Sequence, residues 1–122
     1  MLKAVSLLLP LALATTGQPP ASPTFEEIQA YVTGYNTVAA QTSKTPCTAA
    51  SGANICGRRD AVACPRHIQL GTIVEIRGTT YICEDRLAKK YDTRFDISCD
   101  KDRSCPALVT GWTTIKVYRE NL

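Results

Sequence analysis

The sequence is poor in the residues that most catalytic triads and metal sites use. Its 122 residues include a single histidine, His67, which follows Pro65 and Arg66 in an expected turn. We interpret His67 as a surface histidine, because a triad needs an oriented partner and a histidine zinc site needs several ligands. The sequence also has no G-x-S-x-G, no Gly-rich phosphate loop and no H-E-x-x-H.

Charge of either sign is also modest. The chain carries 14 Lys and Arg against 11 Asp and Glu, a formal net charge of +3, without a run of five like charges. Nucleic-acid binding is therefore not expected, because it needs a dense basic surface. The pairs Arg58-Arg59 and Lys89-Lys90 are interpreted as surface charge or as contacts for an acidic or peptide-bearing glycan.

No apolar run near the N-terminus is long enough for a membrane span, which needs about 20 residues. Residues 1–14 are predicted to be a signal peptide, because Lys3 precedes a short apolar run and Ala12-Leu13-Ala14 is a small-x-small cleavage site. Residues 15–24 are predicted to be a Pro-rich linker, and residues 25–122 a single domain. We expect a secreted protein, or one of the periplasm or cell envelope.

Cysteine, in contrast, is abundant. Six cysteines follow the predicted signal peptide: Cys47, Cys56, Cys64, Cys83, Cys99 and Cys105. An even number behind a signal peptide predicts disulfides in an oxidising compartment. A structural zinc site is disfavoured, because no C-x-x-C pair occurs. The sequence leaves the pairing open, except that Cys99 and Cys105 are close enough to suggest one local bridge.

Alternating apolar and polar residues predict about six short strands and little helix, the pattern of a small closed barrel or a sandwich. One helical turn is predicted over Phe25–Gln29, with Thr24 as N-cap, and a short helix over Ala107–Gly111. A tight turn is predicted at Gly78-Thr79. The predicted strands are Ala30–Tyr35, Asp60–Cys64, Thr72–Arg77, Thr80–Glu84, Arg94–Cys99 and Trp112–Tyr118.

Residues Asn36–Arg59 form a predicted loop of unusual length for a small domain. Such loops more often flank a binding cleft than fill space, and Cys47 and Cys56 are expected to pin this one. A further hypothesis is a disulfide-stapled effector or inhibitor that binds a protein through this loop, although the loop carries no apolar stripe.

The stretch from Tyr81 to Cys99 holds the best candidates for chemistry. It is predicted to begin and end as strands, with Asp85 ending the first strand and Asp96 inside the second. Because Asp96 alternates with Phe95 and Ile97, it faces solvent or a cleft if those two fill the core. It is then either a plain surface aspartate or, if the strands are neighbours, half of a carboxylate pair. Such a pair raises one pKa and leaves an acid able to protonate a glycosidic oxygen.

No metal or cofactor is expected from the residue pattern. Asp96, Asp100 and Asp102 invite a calcium interpretation, but the glycine and glutamate spacing of an EF-hand is absent. We interpret that cluster as a solvated loop. A thiol nucleophile is not expected either, because the cysteines are predicted to be oxidised.

Several motifs resemble those of the three-aspartate domain, which is also the catalytic barrel of membrane-bound lytic transglycosylase A. The similarity extends from about Tyr31 to Tyr118, essentially the whole mature domain. The motifs are Ala63-Cys-Pro-Arg66, Ile68-Gln-Leu-Gly-Thr72, Ile82-Cys-Glu-Asp85, Arg94-Phe-Asp-Ile97 and Thr114-Ile-Lys-Val-Tyr118.

The resemblance implies a six-stranded double-psi β-barrel that acts on peptidoglycan without a cofactor, as a monomer. It implies that Asp96 protonates the glycosidic oxygen between N-acetylmuramic acid and N-acetylglucosamine and then accepts a proton from the muramic acid 6-hydroxyl. Asp85 becomes its supporting carboxylate. The expected substrate-binding residues are Tyr35, Thr72, Arg86, Lys89 and Arg94.

The chain departs from that family at two motif positions. Cys64 stands where the family has its first aspartate, and Arg86-Leu87-Ala88 replaces Thr-Gly-Gly after the second. Those glycines permit close approach of backbone to a sugar, so their replacement reshapes the expected cleft. The alternative function is therefore a polysaccharide-binding barrel of the expansin and barwin type, without cleavage.

Overall fold

The computed structural model describes residues 23–38 and 45–119. The predicted signal peptide, residues 1–14, lies outside the described residues, as do residues 15–22 of the predicted linker. Pro23 precedes the first strand, which begins at Thr24, inside the predicted linker. Among the described residues, no helix has the length and apolar character needed to cross a bilayer.

The described residues form a closed six-stranded barrel with strand order β1-β5-β2-β4-β3-β6. Parallel pairing joins β1 to β5 and β2 to β4, and the other neighbours are antiparallel. The strands are β1 Thr24–Tyr35, β2 Ala61–Ala63, β3 Ile73–Ile76, β4 Thr79–Asp85, β5 Phe95–Ser98 and β6 Gly111–Arg119; a 3₁₀ helix spans Lys89–Tyr91 and helix α1 spans Cys105–Val109. The predicted fold class, a mainly β, disulfide-stapled six-stranded barrel with short helices, is confirmed.

Period-two alternation explains how the later strands build the core. In β3, Val74 and Ile76 are buried, and in β6 Ile115 and Val117 are buried while their neighbours face outward. Phe95 joins them inside the barrel and is almost fully buried. The predicted alternation of side chains along these strands is confirmed.

The prediction of a helical turn over Phe25–Gln29 is wrong, because these residues belong to β1. They pair antiparallel with β6 in an unbroken register from Thr24–Arg119 to Val32–Gly111. One isolated turn does not offset the cost of nucleating a helix, whereas the ladder satisfies the backbone of both strands. Pairing with a distant strand therefore overrides the local capping signal.

One turn and one helix lie beside their predicted positions. The β3–β4 hairpin turns at Arg77 and Gly78, with φ of 51° and 82°, so Thr79 already begins β4. Two consecutive positive φ values match the twist of a hairpin. Helix α1 begins at Cys105, two residues before the predicted start, with Pro106 in its first turn, where a missing amide proton costs little.

All six cysteines form disulfides, as predicted: Cys47–Cys56, Cys64–Cys83 and Cys99–Cys105. The suggested local bridge between Cys99 and Cys105 is confirmed. Cys64 and Cys83 are fully buried, and their bridge fastens the chain just after β2 to β4. The Cys47–Cys56 bridge pins the long loop, as expected.

Residues 45–59, the longer of the two described parts of that loop, cover the outside of the barrel. A second apolar cluster, separate from the barrel interior, joins the loop to the outer face of β1 and β2. Its members are Tyr35, Ala49, Ile55, Ala61, Ala63 and Leu87. The loop is therefore packed against the sheet, beside the strand ends that carry the two candidate aspartates.

Gly34 tests how closely α1 packs on β1. A Cβ at Gly34 would lie 2.8 Å from Pro106 Cα and 2.9 Å from both Cys99 Sγ and Val109 Cγ2. We expect Gly34→Ala to lower the free energy of unfolding by about 1–3 kcal/mol, because overpacking forces backbone shifts. Urea unfolding without reductant measures it. Val109→Ala should recover part of the loss in a double-mutant cycle, and an unchanged midpoint for Gly34→Ala would contradict the packing.

Candidate active site

One row of residues crosses four neighbouring strands at the candidate site. The strand register pairs Thr33 with Asp96, Asp96 with Ala63, and Ala63 with Asp85. Neighbouring strands lie about 4.8 Å apart, so the backbones of Asp96 and Asp85 are separated by about 10 Å. The small Ala63 side chain between them leaves space that a larger residue would fill.

An irregularity in β4 turns Asp85 to the same face as Asp96. Val62 pairs with Cys83 but Ala63 pairs with Asp85, so Glu84 is an extra residue in the ladder. Without it, alternation would place Asp85 on the interior side with Cys83. A β-bulge of this kind re-aims the side chains that follow it. The Glu84 carbonyl accepts a hydrogen bond from Ser51 N at 2.8 Å, and its carboxylate contacts Arg58 at 2.7 Å.

Asp96 is a half-buried carboxyl with one short hydrogen bond. Thr33 Oγ1 donates to Asp96 Oδ1 at 2.8 Å, and no ion pair to Asp96 occurs within the described residues. Burial raises the pKa of Asp96 to about 6, against the lowering influence of Thr33 and Arg94, while the Asp85 charge raises it. The side chain is therefore an acid that keeps its proton in mildly acidic solution.

Asp85 has a different environment, in which three groups donate to one carboxylate. Its Oδ1 accepts from Ala50 N and Arg86 N, both at 2.9 Å, and its Oδ2 accepts from Tyr35 Oη at 3.1 Å. Burial first, and then the Asp85 charge, raise the pKa of the Tyr35 hydroxyl, so it stays a donor. Asp85 therefore ties the covering loop to the sheet.

The structure separates the five predicted substrate-binding residues. Tyr35 is buried against Asp85, and Arg86 Nη1 donates to the carbonyls of Cys64 and Pro65 at 3.1 and 2.8 Å, so its guanidinium braces the chain after β2. Lys89 is exposed on the 3₁₀ helix.

Thr72 lines a separate cavity of about 950 Å³, together with His67 and Ile73. His67 is exposed, as expected.

Arg94 is the predicted contact that lies beside an open groove near Asp96. Its guanidinium carbon is 5.3 Å from the centre of the Tyr31 ring and 4.6 Å from that of Tyr91. The groove encloses about 620 Å³ and is lined by Gln29, Ala30, Tyr31, Thr33, Thr93, Arg94 and Trp112. Because Thr33 lines the groove and donates to Asp96, the groove lies beside the candidate acid, with Thr33 between them.

The acidic loop after β5 is organised by hydrogen bonds, not simply solvated. Asp100 Oδ1 accepts from Gly57 N at 3.1 Å and from Thr37 Oγ1 at 3.0 Å, and these contacts lower its pKa. Asp102 is exposed and accepts from Ser104. Within the described residues, no group of three His, Cys, Asp or Glu side chains could hold a metal ion.

Sequence reasoning missed four residues of this site: Thr33, Ala50, Ser98 and Trp112. Ser98 lies two residues after Asp96 and beside Tyr35 in the ladder, with its side chain buried. Alternation from Asp96 could have indicated Ser98, and exposure of an aromatic strand residue could have indicated Trp112. Only the parallel pairing of β1 with β5 brings Thr33 to Asp96.

Comparisons of the chain with protein-family models, with curated proteins and with solved structures found no match.

Asp96→Asn should stabilise the protein at neutral pH. Because the pKa of Asp96 is raised from 3.8 to about 6, ionising it costs folding energy that is fully present above pH 6 and vanishes below about pH 4. We expect Asp96→Asn to exceed wild type by on the order of 2 kcal/mol at pH 7 and to match it near pH 4. Denaturant unfolding across this range measures the difference.

Asp100→Asn is a control of opposite sign, because hydrogen bonds lower the pKa of Asp100. Compared with wild type, Asp100→Asn should lose more stability at pH 7 than at pH 4. If Asp96→Asn and wild type kept a constant difference at every pH, the assigned environment of Asp96 would be incorrect.

Asp85→Ala should release the covering loop. The variant leaves Ala50 N, Arg86 N and Tyr35 Oη without their acceptor, at a cost of about 1–3 kcal/mol for each group that stays buried. Hydrogen exchange followed by mass spectrometry should show lost protection in residues 45–59.

The matched control is Asp92→Ala, because Asp92 accepts from the backbone of Arg66 at 3.0 Å in another loop. Equal protection of residues 45–59 in both variants would contradict the role of Asp85.

Proposed function

We propose that this protein is a secreted or cell-envelope lytic transglycosylase that cleaves the glycan strands of peptidoglycan, with Asp96 as acid and then base. The observation that carries the proposal is a half-buried carboxyl of raised pKa that accepts a hydrogen bond from Thr33, a residue that lines an open groove. The three disulfides suit an oxidising compartment, where such a substrate lies.

The proposed reaction needs only one carboxyl group and one substrate hydroxyl. Protonated Asp96 gives its proton to the glycosidic oxygen as the bond from the muramic acid C1 breaks. The resulting carboxylate then takes the proton of the muramic acid 6-hydroxyl, whose oxygen bonds to C1. The products are a 1,6-anhydro sugar and a free 4-hydroxyl on the next unit, and Asp96 regains its proton without water being consumed.

The neighbours of Asp96 support the acid step. Burial and the Asp85 charge both favour the protonated form, whereas Arg94 stabilises the carboxylate that appears after proton transfer. Thr33 donates to the carboxyl and fixes its orientation at the groove wall. In this proposal Asp85 acts on Asp96 through its charge and positions the loop, and it does not touch the substrate.

The resemblance to the three-aspartate domain also supports this function, because Asp85 and Asp96 stand at the positions of two of the family's three aspartates. At the position of the family's first aspartate, Cys64 is buried in a disulfide with Cys83, so this position supplies a cross-link instead of a carboxylate. Arg86, which replaces a residue of the family's loop, braces the backbone carbonyls of Cys64 and Pro65. Both replacements, Cys64 and Arg86, alter the chain around the site, and neither replaces Asp96.

The direct test is release of anhydromuropeptides from purified sacculi, followed by mass spectrometry. Wild type should release them at a rate that falls as pH rises above about 6, because the acid form of Asp96 is lost. Asp96→Asn should abolish release. Thr33→Val should move the alkaline limb to higher pH, because the Thr33 hydrogen bond lowers the pKa of Asp96.

Asp92→Asn is the matched control, since Asp92 is an acidic residue between Asp85 and Asp96 that pairs with Arg66. Its release should equal that of wild type. Equal, background-level release by wild type and Asp96→Asn would refute the proposed activity.

A second candidate function is a wall-binding barrel without cleavage. The observation in its favour is that three donors already engage the Asp85 carboxylate. Asp85 is therefore not free to act as a second carboxylate beside Asp96. This function predicts that wild type and Asp96→Asn pellet equally with sacculi and that neither releases fragments.

A further inference from the structure

An aromatic pair stands at the entrance of the groove. Tyr31 and Trp112 are direct partners in the β1–β6 ladder, with ring centres 5.6 Å apart and an angle of 68° between the ring planes. Trp112 is 72% exposed, far more than a residue that serves the core. Tyrosine and tryptophan are enriched at binding interfaces, because their rings combine an apolar body with a polar group.

Arg94 contacts Tyr31, one member of this pair. Its guanidinium lies over the Tyr31 ring and over the Tyr91 ring, so one cation contacts the faces of these two tyrosines. Tyr31 is therefore covered and oriented, whereas Trp112 remains open to solvent. The three side chains Tyr31, Arg94 and Trp112 are named the platform below.

The platform lies in the same groove as Thr33, the hydrogen-bond partner of the candidate acid. Tyr31, Arg94 and Trp112 line it together with Thr33, which donates to Asp96. Thr33 follows Tyr31 by two residues on the same face of β1, about 7 Å further along the strand. A ligand seated on the platform can therefore extend towards Asp96 by one or two sugar units.

We infer that the platform is a saccharide subsite that stacks one sugar ring of an extended glycan on Trp112 and contacts an anionic substituent through Arg94. The inference rests on the proposed function for the class of substrate. Pyranose rings present an apolar C–H face that suits an open aromatic ring, and carboxylates of lactyl or peptide groups suit a guanidinium. Trp112 and Tyr31 are binding residues in this inference, remote from the bond that breaks.

The charges of the groove favour a glycan over a single-stranded nucleic acid. Aromatic side chains with arginine also bind nucleotide bases, but such sites follow the phosphates with a basic track. Here the groove lies beside the carboxyl of Asp96, which Thr33 contacts, and the net charge of the chain is only +3. An uncharged sugar backbone fits this arrangement better than a chain of phosphates.

The same two strands provide a matched control. Phe25 pairs with Tyr118 at the other end of the β1–β6 ladder, with ring centres 5.5 Å apart and Lys116 over Phe25. This pair has the same composition as the platform, two aromatic rings and a cation, and Phe25 is 45% exposed. Its distance from Trp112 is about 20 Å along the strand.

The test measures binding without cleavage. Soluble disaccharide–peptide oligomers of peptidoglycan are titrated by calorimetry into Asp96→Asn, and into the same chain with Trp112→Ala, Arg94→Gln or Phe25→Ala added. We expect Trp112→Ala to weaken the binding of these oligomers about tenfold, Arg94→Gln to weaken it as well, and Phe25→Ala to leave it within about twofold. Because Trp112 is the sole tryptophan, its fluorescence should also shift on binding in Asp96→Asn.

Each outcome decides for or against the platform. Equal affinities of the Trp112→Ala and Phe25→Ala chains, with no fluorescence shift, would overturn the inference even if wild type cleaves sacculi. Trp112-dependent binding with no release by wild type supports the platform and removes the proposed cleavage. Tighter Trp112-dependent binding of a single-stranded oligonucleotide, or no glycan binding by any chain, would also overturn the inference.

Discussion

The candidate site depends on one extra residue in β4. Glu84 bulges from the β2–β4 ladder, and Asp85 consequently faces the outside of the barrel with Asp96, not the apolar interior. The bulge leaves a backbone carbonyl that the covering loop satisfies through Ser51, and Arg58 of that loop pairs with the Glu84 carboxylate. The position of the loop, the direction of Asp85 and the charge felt by Asp96 therefore have a common structural cause.

Two aspartates of one row have acquired different properties from their surroundings. Asp85 is saturated by donors, which suits a carboxylate that organises structure. Asp96 has a single short hydrogen bond and a desolvated position, which suits an acid that exchanges its proton. This division is the usual way in which two carboxyl groups take different roles in one site. The aromatic groove lies beside Asp96, the second of these aspartates, and, within the described residues, is not lined by residues that contact Asp85, the first.

The local pattern predicted much of the barrel. Alternation in β3, β5 and β6 separated the side chains of the two faces of each strand, and the small separation of Cys99 and Cys105 suggested their bridge. The sequence was less informative where pairing is distant. Phe25–Gln29 carries a helix-capping signal, yet a ladder with β6, some 90 residues away, decides its conformation. The residues around Phe25–Gln29 carry no local pattern that indicates pairing with β6.

The sequence by itself determined that the six cysteines are oxidised, the strand periodicity and the choice of Asp85 and Asp96 as the candidate pair, because these depend on residue type and short spacing. Tertiary structure alone decided which face Asp85 occupies, that Thr33 contacts Asp96, and that Arg94 lies over Tyr31 beside Trp112. Each of these facts follows from strand register in a closed mixed barrel. Register is set by the sum of many distant contacts, and a shift of one residue reverses the face of every side chain.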